Sequence, residues 1–363
     1  MMVGLGESYV AAFVLALGHG EVASGLVTTV PLLVGGAIQL ITPLGVRWIG
    51  SRKRWAVACA TTQAASFVPL LAAAAHGSAP LWVAFGAATL YWSAGMAISP
   101  AWNAWVEWLV PRPIRKRYFA WRTSAVQLGT FVGLVGGGLV LDAFGGSAGR
   151  PLAGFGVLFA LAAGCRALSA RLLAAQSEGP APAPEVRPRL PALQTLRRIP
   201  RSPASRLLAY LLGLTAGVSV ASPFFSAYML VELDLSYARY MLLVATAVAA
   251  KVAILPVLGG VATRFGLVRM LQVAWLGIAA VPALWLVSSS YPYLVALQIG
   301  SGAAWAAHEY AAFLLLFETI RAERRVTILT AYNLAHAVAL VGGSVFGSWL
   351  LHDAGSGPAG YAT

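Results

Sequence analysis

Charged residues are scarce in this chain. Only 10% of its 363 residues are Asp, Glu, Lys or Arg, and the acids number 12 against 25 bases. A soluble domain carries about 25% charged residues. Because 59% of the residues are hydrophobic and the mean hydropathy is +0.76, this shortage excludes an ordinary soluble protein and places the chain in the membrane class.

Cysteine is also nearly missing. Cys59 and Cys165 both lie in apolar runs without metal-ligand spacing, which argues against a disulfide framework or a zinc site. His308 and Glu309 do not begin an HExxH motif, because Ala312 stands where the second His would be. We therefore expect no metal and no cofactor. A polytopic membrane enzyme would need a nucleophile with its base, and no such pair is visible, so we expect no enzymatic activity.

Long apolar runs, in contrast, are abundant. At about 20 residues per crossing, they predict an all-α polytopic membrane protein with eleven transmembrane helices. The runs lie near residues 1–18, 24–46, 55–75, 80–108, 119–141, 151–173, 206–229, 240–262, 269–288, 292–318 and 327–351. The first of them lacks the basic start of a cleavable signal peptide, which favours a spanning helix.

Basic residues are segregated to alternate turns between these runs. One set of turns, including the stretch 99–122 between the fourth and fifth helices, carries 22 of the 25 Lys and Arg residues. The opposite set carries only Arg150 and Arg239, and Lys251 lies inside a helix. The positive-inside rule then predicts a cytoplasmic N-terminus in a bacterial-type inner membrane. Orientation accounts for the basic charge, so we expect membrane lipids as partners, no nucleic acid, and a monomer.

A Pro- and Arg-rich segment interrupts the apolar runs near the middle of the chain. We predict three parts: an N-terminal six-helix bundle at 1–174, a cytoplasmic linker at 175–205 and a C-terminal bundle of five helices at 206–363. The composition of the linker is typical of a tether between bundles.

The two halves also show an internal repeat. An offset of 211 residues carries Glu107 to Glu318 and Trp121 to Tyr332, which predicts two related bundles. The same offset places the start of helix one about five residues before Met1 and a twelfth helix at roughly 362–384. We therefore expect a chain that lacks the start of helix one and the twelfth helix. A protein built from eleven helices is the alternative.

One loop motif resembles a known family. Residues 259–266 read GGVATRFG and are followed by Arg269, and a first-half copy occupies residues 45–54. With two six-helix halves and a long linker, the chain resembles the major facilitator superfamily of secondary transporters. The resemblance implies two pseudo-symmetric bundles, alternating access, and a central cavity lined by the first two helices of each three-helix unit.

Ionisable residues within predicted helices are expensive in hydrocarbon, so each is a candidate for function. Lys251 cannot reach either surface from the bilayer centre and needs an anion. Glu309 is the first candidate partner and Glu7 the second. Either substrate or a proton breaks this charge pair during the cycle, or the pair is static and locks the C-terminal half. The full candidate substrate or proton site comprises Glu7, Tyr91, Trp92, Lys251, His308, Glu309 and His336.

Further polar residues complete the expected transport pathway. His308 and His336 suit proton coupling, although a neutral His bonded to a backbone carbonyl is the alternative. Orienting hydrogen bonds to a small solute are expected from Gln39, Asn103, Gln127 and Asn333. A cytoplasmic gate is expected at Glu107, Arg122, Glu318 and Arg264.

These expectations describe a secondary active transporter that moves a small solute by alternating access. Coupling to protons, the direction of transport and the identity of the substrate stay open. The alternative is a non-transporting sensor or scaffold that retains the transporter fold.

Overall fold

The computed structural model describes residues 1–146, 151–178, 203–320 and 322–354, with the backbone alone at some helical positions. Every regular element in these ranges is helical, so the predicted all-α fold is confirmed. The described part of the linker predicted at 175–205 is limited to its two ends. The division into bundles at 1–174 and 206–363 stays a prediction.

The described residues before the linker form nine α-helices. They are α1 (Met2–Leu5), α2 (Val10–Ala16), α3 (Gly20–Gln39), α4 (Thr42–Ile49), α5 (Arg52–Ala65), α6 (Phe67–His76), α7 (Leu81–Leu109), α8 (Arg112–Gly146) and α9 (Pro151–Ala175). Together they occupy the six predicted crossings, because three of the crossings consist of two helices in series.

In the described residues after the linker, five helices have 19 residues or more. They are α10 (Pro203–Ala221), α11 (Tyr237–Phe265), α12 (Leu267–Trp285), α13 (Tyr291–Thr319) and α14 (Ala322–Ala354). Each corresponds to one predicted crossing. Among the described residues, nine segments are long and apolar enough to span a membrane, and Met2–Ala16 is a shorter apolar segment. The crossing predicted at 292–318 is present as α13 but is not among those nine.

Two predicted helices are broken where the sequence suggested continuity. The helix expected at 24–46 ends at Gln39 and restarts as α4, and the helix expected at 55–75 ends at Ala65 and restarts as α6. Pro43 and Pro69 lie four residues beyond these two ends. Proline has no N–H for the carbonyl four residues earlier, and its ring clashes with that carbonyl, so both breaks fall where a proline weakens the helix.

The first and seventh crossings are also interrupted. A 3₁₀ turn at Glu7–Tyr9 separates α1 from α2, and α10 is followed by a 3₁₀ turn at Ser222–Phe224 and a π-helix at Tyr228–Glu232. Close packing accompanies the first break, because a Cβ on Gly6 would lie 2.5 Å from the Phe67 ring. The helix predicted near 1–18 is therefore present at Met2–Ala16, with a 3₁₀ turn near its middle.

Small residues bring helices into contact within each half. On α8, a Cβ at Gly133 would lie 3.0 Å from the backbone of Gly4, so α1 packs directly on the glycine face of α8. Aromatic residues fill the neighbouring core, where the buried Phe13 ring lies 5.0 Å from Phe159. These contacts fix α1 and α2, and with them Glu7, against the rest of the first bundle.

Glycine is required at two of the basic turns. Gly50 ends α4 with φ of 74°, and Gly266 precedes α12 with φ of 82° and ψ of 151°. The second conformation is essentially restricted to glycine. Both residues belong to the loop motif identified in the sequence.

The chain forms two compact units. The first contains Met1–Arg187 and Leu235–Ala238, and the second contains Pro188–Asp234 and Arg239–Thr363. Helices α7 and α13 are both 29 residues long, and their first residues, Leu81 and Tyr291, lie 210 positions apart. The starts of α8 and α14 show the same spacing. The structural repeat therefore differs by one residue from the offset of 211, because that offset depended on a few side-chain matches.

Candidate functional site

An ion pair joins two apolar helices of the second unit. Lys251, in the middle of α11, contacts both carboxylate oxygens of Glu309 on α13, with Nζ–O distances of 2.7 and 2.6 Å. The Lys251 side chain is 28% exposed and that of Glu309 is 51% exposed. The structure thus brings together the two residues that the sequence proposed as partners, and it leaves both side chains partly exposed.

His308 precedes Glu309 but lies in a different environment. It is 7% exposed, and its ring packs 5.8 Å from Trp305 and 6.3 Å from Tyr210. Neither ring nitrogen of His308 has a hydrogen-bond partner among the described residues, and the same holds for the Tyr210 hydroxyl. His336, on α14, lies 5.8 Å from the Tyr332 ring. His308 therefore turns away from the ion pair and into an aromatic cluster.

Glu7 forms the corresponding polar contact in the first unit. Its carboxylate accepts a hydrogen bond of 2.5 Å from the Tyr91 hydroxyl on α7. The Tyr91 ring packs edge-on against Phe67 at 5.5 Å and against Trp92 at 5.7 Å. Because Glu7 begins the 3₁₀ turn between α1 and α2, the break in the first crossing and this contact occur at the same place.

The other predicted solute contacts are dispersed. Gln39 ends α3 and is half-buried, Gln127 is half-buried on α8, and Asn333 is exposed on α14. Only the backbone is described at Asn103. The structure groups Trp92 with Tyr91 but brings none of these three amides into a hydrogen bond with the ionisable residues among the described contacts.

Three of the four predicted gate residues have described side chains. Arg122 lies over the Trp102 ring at 4.3 Å, and Arg264 lies 5.3 Å from the Phe265 ring. Glu318 is exposed and borders a cavity of about 660 Å³. The side chain of Glu107 lies outside the described part. The gate role of all four stays a prediction.

A second cavity, of about 600 Å³, was missed by the sequence analysis. It lies inside the first unit and is bordered by Arg122 and Arg166. In the sequence, both arginines count among the basic residues assigned to the cytoplasmic side. Their 44-residue separation hides the common cavity, and the one available signal is Arg166 itself, a charged residue nine positions before the end of the apolar helix α9.

Comparison with known proteins shows similarity in structure at low sequence identity. No protein-family model and no curated protein matches the chain. A mutant of the nucleoside transporter NupG is similar in structure, with a TM-score of 0.74 at 12% identity over 99% of this chain and 90% of that one.

Two further solved structures show the same similarity. A bacterial homologue of the iron transporter ferroportin, in an inward-facing state, has a TM-score of 0.71 at 14% identity over 96% of this chain and 89% of that one. A D-xylose–proton symporter has a TM-score of 0.66 at 16% identity over 97% and 87%. These three neighbours are transporters and not enzymes. The chain is a multi-pass membrane protein with the major facilitator superfamily fold.

Proposed function

We propose that this protein is a secondary active transporter that moves a small solute across the bacterial inner membrane by alternating access. The ion pair between Lys251 and Glu309 carries the proposal. Two opposite charges on adjacent apolar helices are costly to keep in a membrane, by about 2.5–3.5 kcal/mol for an unpaired Lys at mid-membrane. Such residues commonly mark the pathway of a substrate or an ion.

We propose that the exposed face of the pair lines a water-filled pathway, where the contact between Lys251 and Glu309 is exchangeable. An ion pair in contact with water contributes only about 0–1 kcal/mol, whereas the same charges sealed from water require each other. A solute cation or a proton can therefore replace Lys251 at Glu309 while the site is open. When the site closes, the Glu309 carboxylate must be paired with Lys251, with the solute cation or with a proton. Binding at Glu309 is therefore linked to the conformation of the transporter.

Glu7 and Tyr91 are proposed as the part of the site contributed by the first bundle. The short hydrogen bond fixes the carboxylate beside an aromatic wall made of Tyr91 and Trp92. Aromatic surfaces with a few polar groups are typical of small-molecule sites. His336 and the amides of Gln39, Asn103, Gln127 and Asn333 remain candidates for orienting the solute.

The cytoplasmic gate and the orientation are proposed from charge. Glu107, Arg122, Glu318 and Arg264 all fall near the ends of helices adjoining the basic turns. With the N-terminus in the cytoplasm, these turns face the inside of the cell. The two bundles joined by the linker at 175–205 then rock about the site.

The fold is compatible with several substrate classes. Its structural neighbours include transporters of nucleosides, a homologue of an iron transporter and a symporter of D-xylose with protons. A first screen should therefore test uptake of nucleosides, pentoses and Fe²⁺, each with and without a pH gradient, in proteoliposomes containing the full chain.

The site is tested with the solute that the screen identifies. We expect Lys251→Met and Glu309→Gln each to reduce transport at least tenfold, because each leaves its partner without a counter-charge. Thr246→Val is a matched control on the same helix, since the Thr246 hydroxyl is exposed and bonds only to the Leu242 carbonyl among described contacts. Wild-type rates in both charge variants would refute the assignment. A chain that transports none of the solutes would favour a sensor or scaffold.

A further inference from the structure

The first unit contains a cavity that the proposed transport site does not use. Its volume is about 600 Å³, within the range of small-molecule sites. It lies between the second half of α7, the first half of α8, the second half of α9 and Met1–Val3. All of its described walls belong to the first unit, whereas Lys251 and Glu309 lie in the second.

The charge of this cavity has one sign. Arg122 and Arg166 border it, and none of its described lining residues is acidic. Neutral polar groups on the walls come from Ser99, Ser169 and Gln176. Two guanidinium groups within one cavity repel each other, so a counter-anion would stabilise both.

Arg166 has hydrogen-bonding capacity to spare. Its Nε is buried and has no partner in the described part of the chain. One terminal nitrogen, Nη1, donates to the Ser169 hydroxyl over 3.4 Å, a long and weak bond. A guanidinium has five N–H donors in a planar fork that fits carboxylate and phosphate. Buried donors normally have partners, and an anion in the cavity would supply them.

Arg122 borders the same cavity from α8. Its guanidinium lies 4.3 Å from the centre of the Trp102 ring, a distance at which the ring restricts a cation and leaves its edge free to donate. The remaining wall is largely apolar, with Ile98, Leu168 and Leu172 among its residues. The cavity thus has a cationic part and an apolar part.

We propose that this cavity binds an amphiphilic anion, whose carboxylate or phosphate contacts Arg122 and Arg166 and whose apolar portion packs against Trp102 and the leucines of α9. Either an anionic lipid headgroup or a soluble organic phosphate or carboxylate has this chemistry. The first turns of α8 add Arg115, Lys116 and Arg117 nearby in sequence, which would raise the local concentration of either anion.

The test compares two probes on the full chain. In the first arm, nanodiscs contain phosphatidylcholine alone, and the apparent Tm of the protein is measured with increasing phenyl phosphate at constant ionic strength. In the second arm, no phenyl phosphate is added, and an increasing share of the phosphatidylcholine is replaced by phosphatidylglycerol. A ligand that binds the folded state raises the Tm in a saturable way. A soluble anion is the source if phenyl phosphate gives this shift, and a lipid headgroup is the source if phosphatidylglycerol alone gives it.

The variants separate this cavity from general basic charge. We expect Arg122→Gln and Arg166→Gln each to weaken binding about 10- to 100-fold, the value of one charge-assisted hydrogen-bonding group. Arg171→Gln is the matched control, because Arg171 is exposed on the same helix as Arg166 and does not border the cavity. If Arg166→Gln does not fold, Arg166→Lys retains the charge without the fork and should weaken binding by a smaller factor.

Two results would overturn the proposal. The first is the lack of any saturable shift with both probes in the wild-type protein. The second is a full shift in either Arg122→Gln or the folded Arg166 variant. Loss of the shift in both, with retention in Arg171→Gln, supports the site.

Discussion

Neighbouring glycines on α14 should respond in opposite ways to the same substitution. A Cβ added to Gly343 would overlap the carbonyl oxygen of Ala216 on α10 and lie 2.9 Å from the Ser219 Cβ. A Cβ added to Gly342 would meet nothing within 4 Å. The substitution Gly→Ala at these two adjacent positions of α14 therefore compares a site in contact with another helix with a site that faces open space.

The expected magnitudes follow from two opposing terms. Alanine stabilises a helix interior by about 0.8–1.0 kcal/mol relative to glycine, and this gain applies at both positions. Overpacking costs about 1–3 kcal/mol, and the cost at Gly343 should be near the upper end because the atom in the way is backbone. We expect Gly342→Ala to stabilise by about 0.5–1 kcal/mol and Gly343→Ala to destabilise by about 1–2 kcal/mol.

The assay is the apparent Tm of the purified full chain in one detergent, followed by aggregation or intrinsic fluorescence. The order Gly342→Ala, wild type, Gly343→Ala is expected from highest to lowest Tm. Gly347→Ala should resemble Gly343→Ala, because its Cβ would overlap the Val220 carbonyl oxygen. If Gly343→Ala is as stable as Gly342→Ala, α10 and α14 do not pack through these glycines and the reasoning is wrong.

Three further predictions concern other sites. Tyr91→Phe should lower the free energy of unfolding by about 1–3 kcal/mol, because the Glu7 carboxylate loses its hydrogen-bond donor while it stays inside the bundle. Unchanged stability would mean that Glu7 is hydrated by bulk water. His308→Phe should leave stability unchanged or raise it, since two buried nitrogens without partners are removed, so a loss of transport in a stable variant would assign His308 to the transport cycle. Gly266→Ala should cost about 1–3 kcal/mol, because the backbone conformation of Gly266 is unfavourable for alanine. Gly260→Ala should be neutral or stabilising, because a Cβ at this helical position would meet nothing within 4 Å. Equal Tm values for the two variants would contradict the turn geometry.

Composition and the apolar runs were enough to predict the helical crossings and the fold. Hydrocarbon requires about 20 apolar residues per helix, and this constraint is strong enough to be read without a structure. The breaks were not predicted, because hydropathy averages over a window and ignores single backbone groups. Pro43 and Pro69 were visible, but Pro31, Pro256 and Pro282 lie inside continuous helices, so proline alone does not identify a break.

The candidate site was predictable only in part. The cost of an unpaired Lys in a membrane pointed to Lys251 and then to Glu309, which the structure places in contact. The partnership of Glu7 with Tyr91 and the aromatic environment of His308 depend on helix rotation, which the sequence does not specify when every face is apolar. The cavity at Arg122 and Arg166 depends on the meeting of α8 and α9, which no local pattern encodes.

The distribution of helix breaks has a mechanical consequence. Helices α7 and α13, each of 29 residues, run without a break for about 43 Å at 1.5 Å per residue. The crossings made of α1 with α2, of α3 with α4 and of α5 with α6 are jointed, with a single turn or less at each joint. An unbroken helix transmits displacement from one membrane face to the other, and a joint absorbs it by a change in a few backbone angles. In the first unit, therefore, the two ends of a jointed crossing can tilt separately while α7 holds the distance between the two surfaces constant.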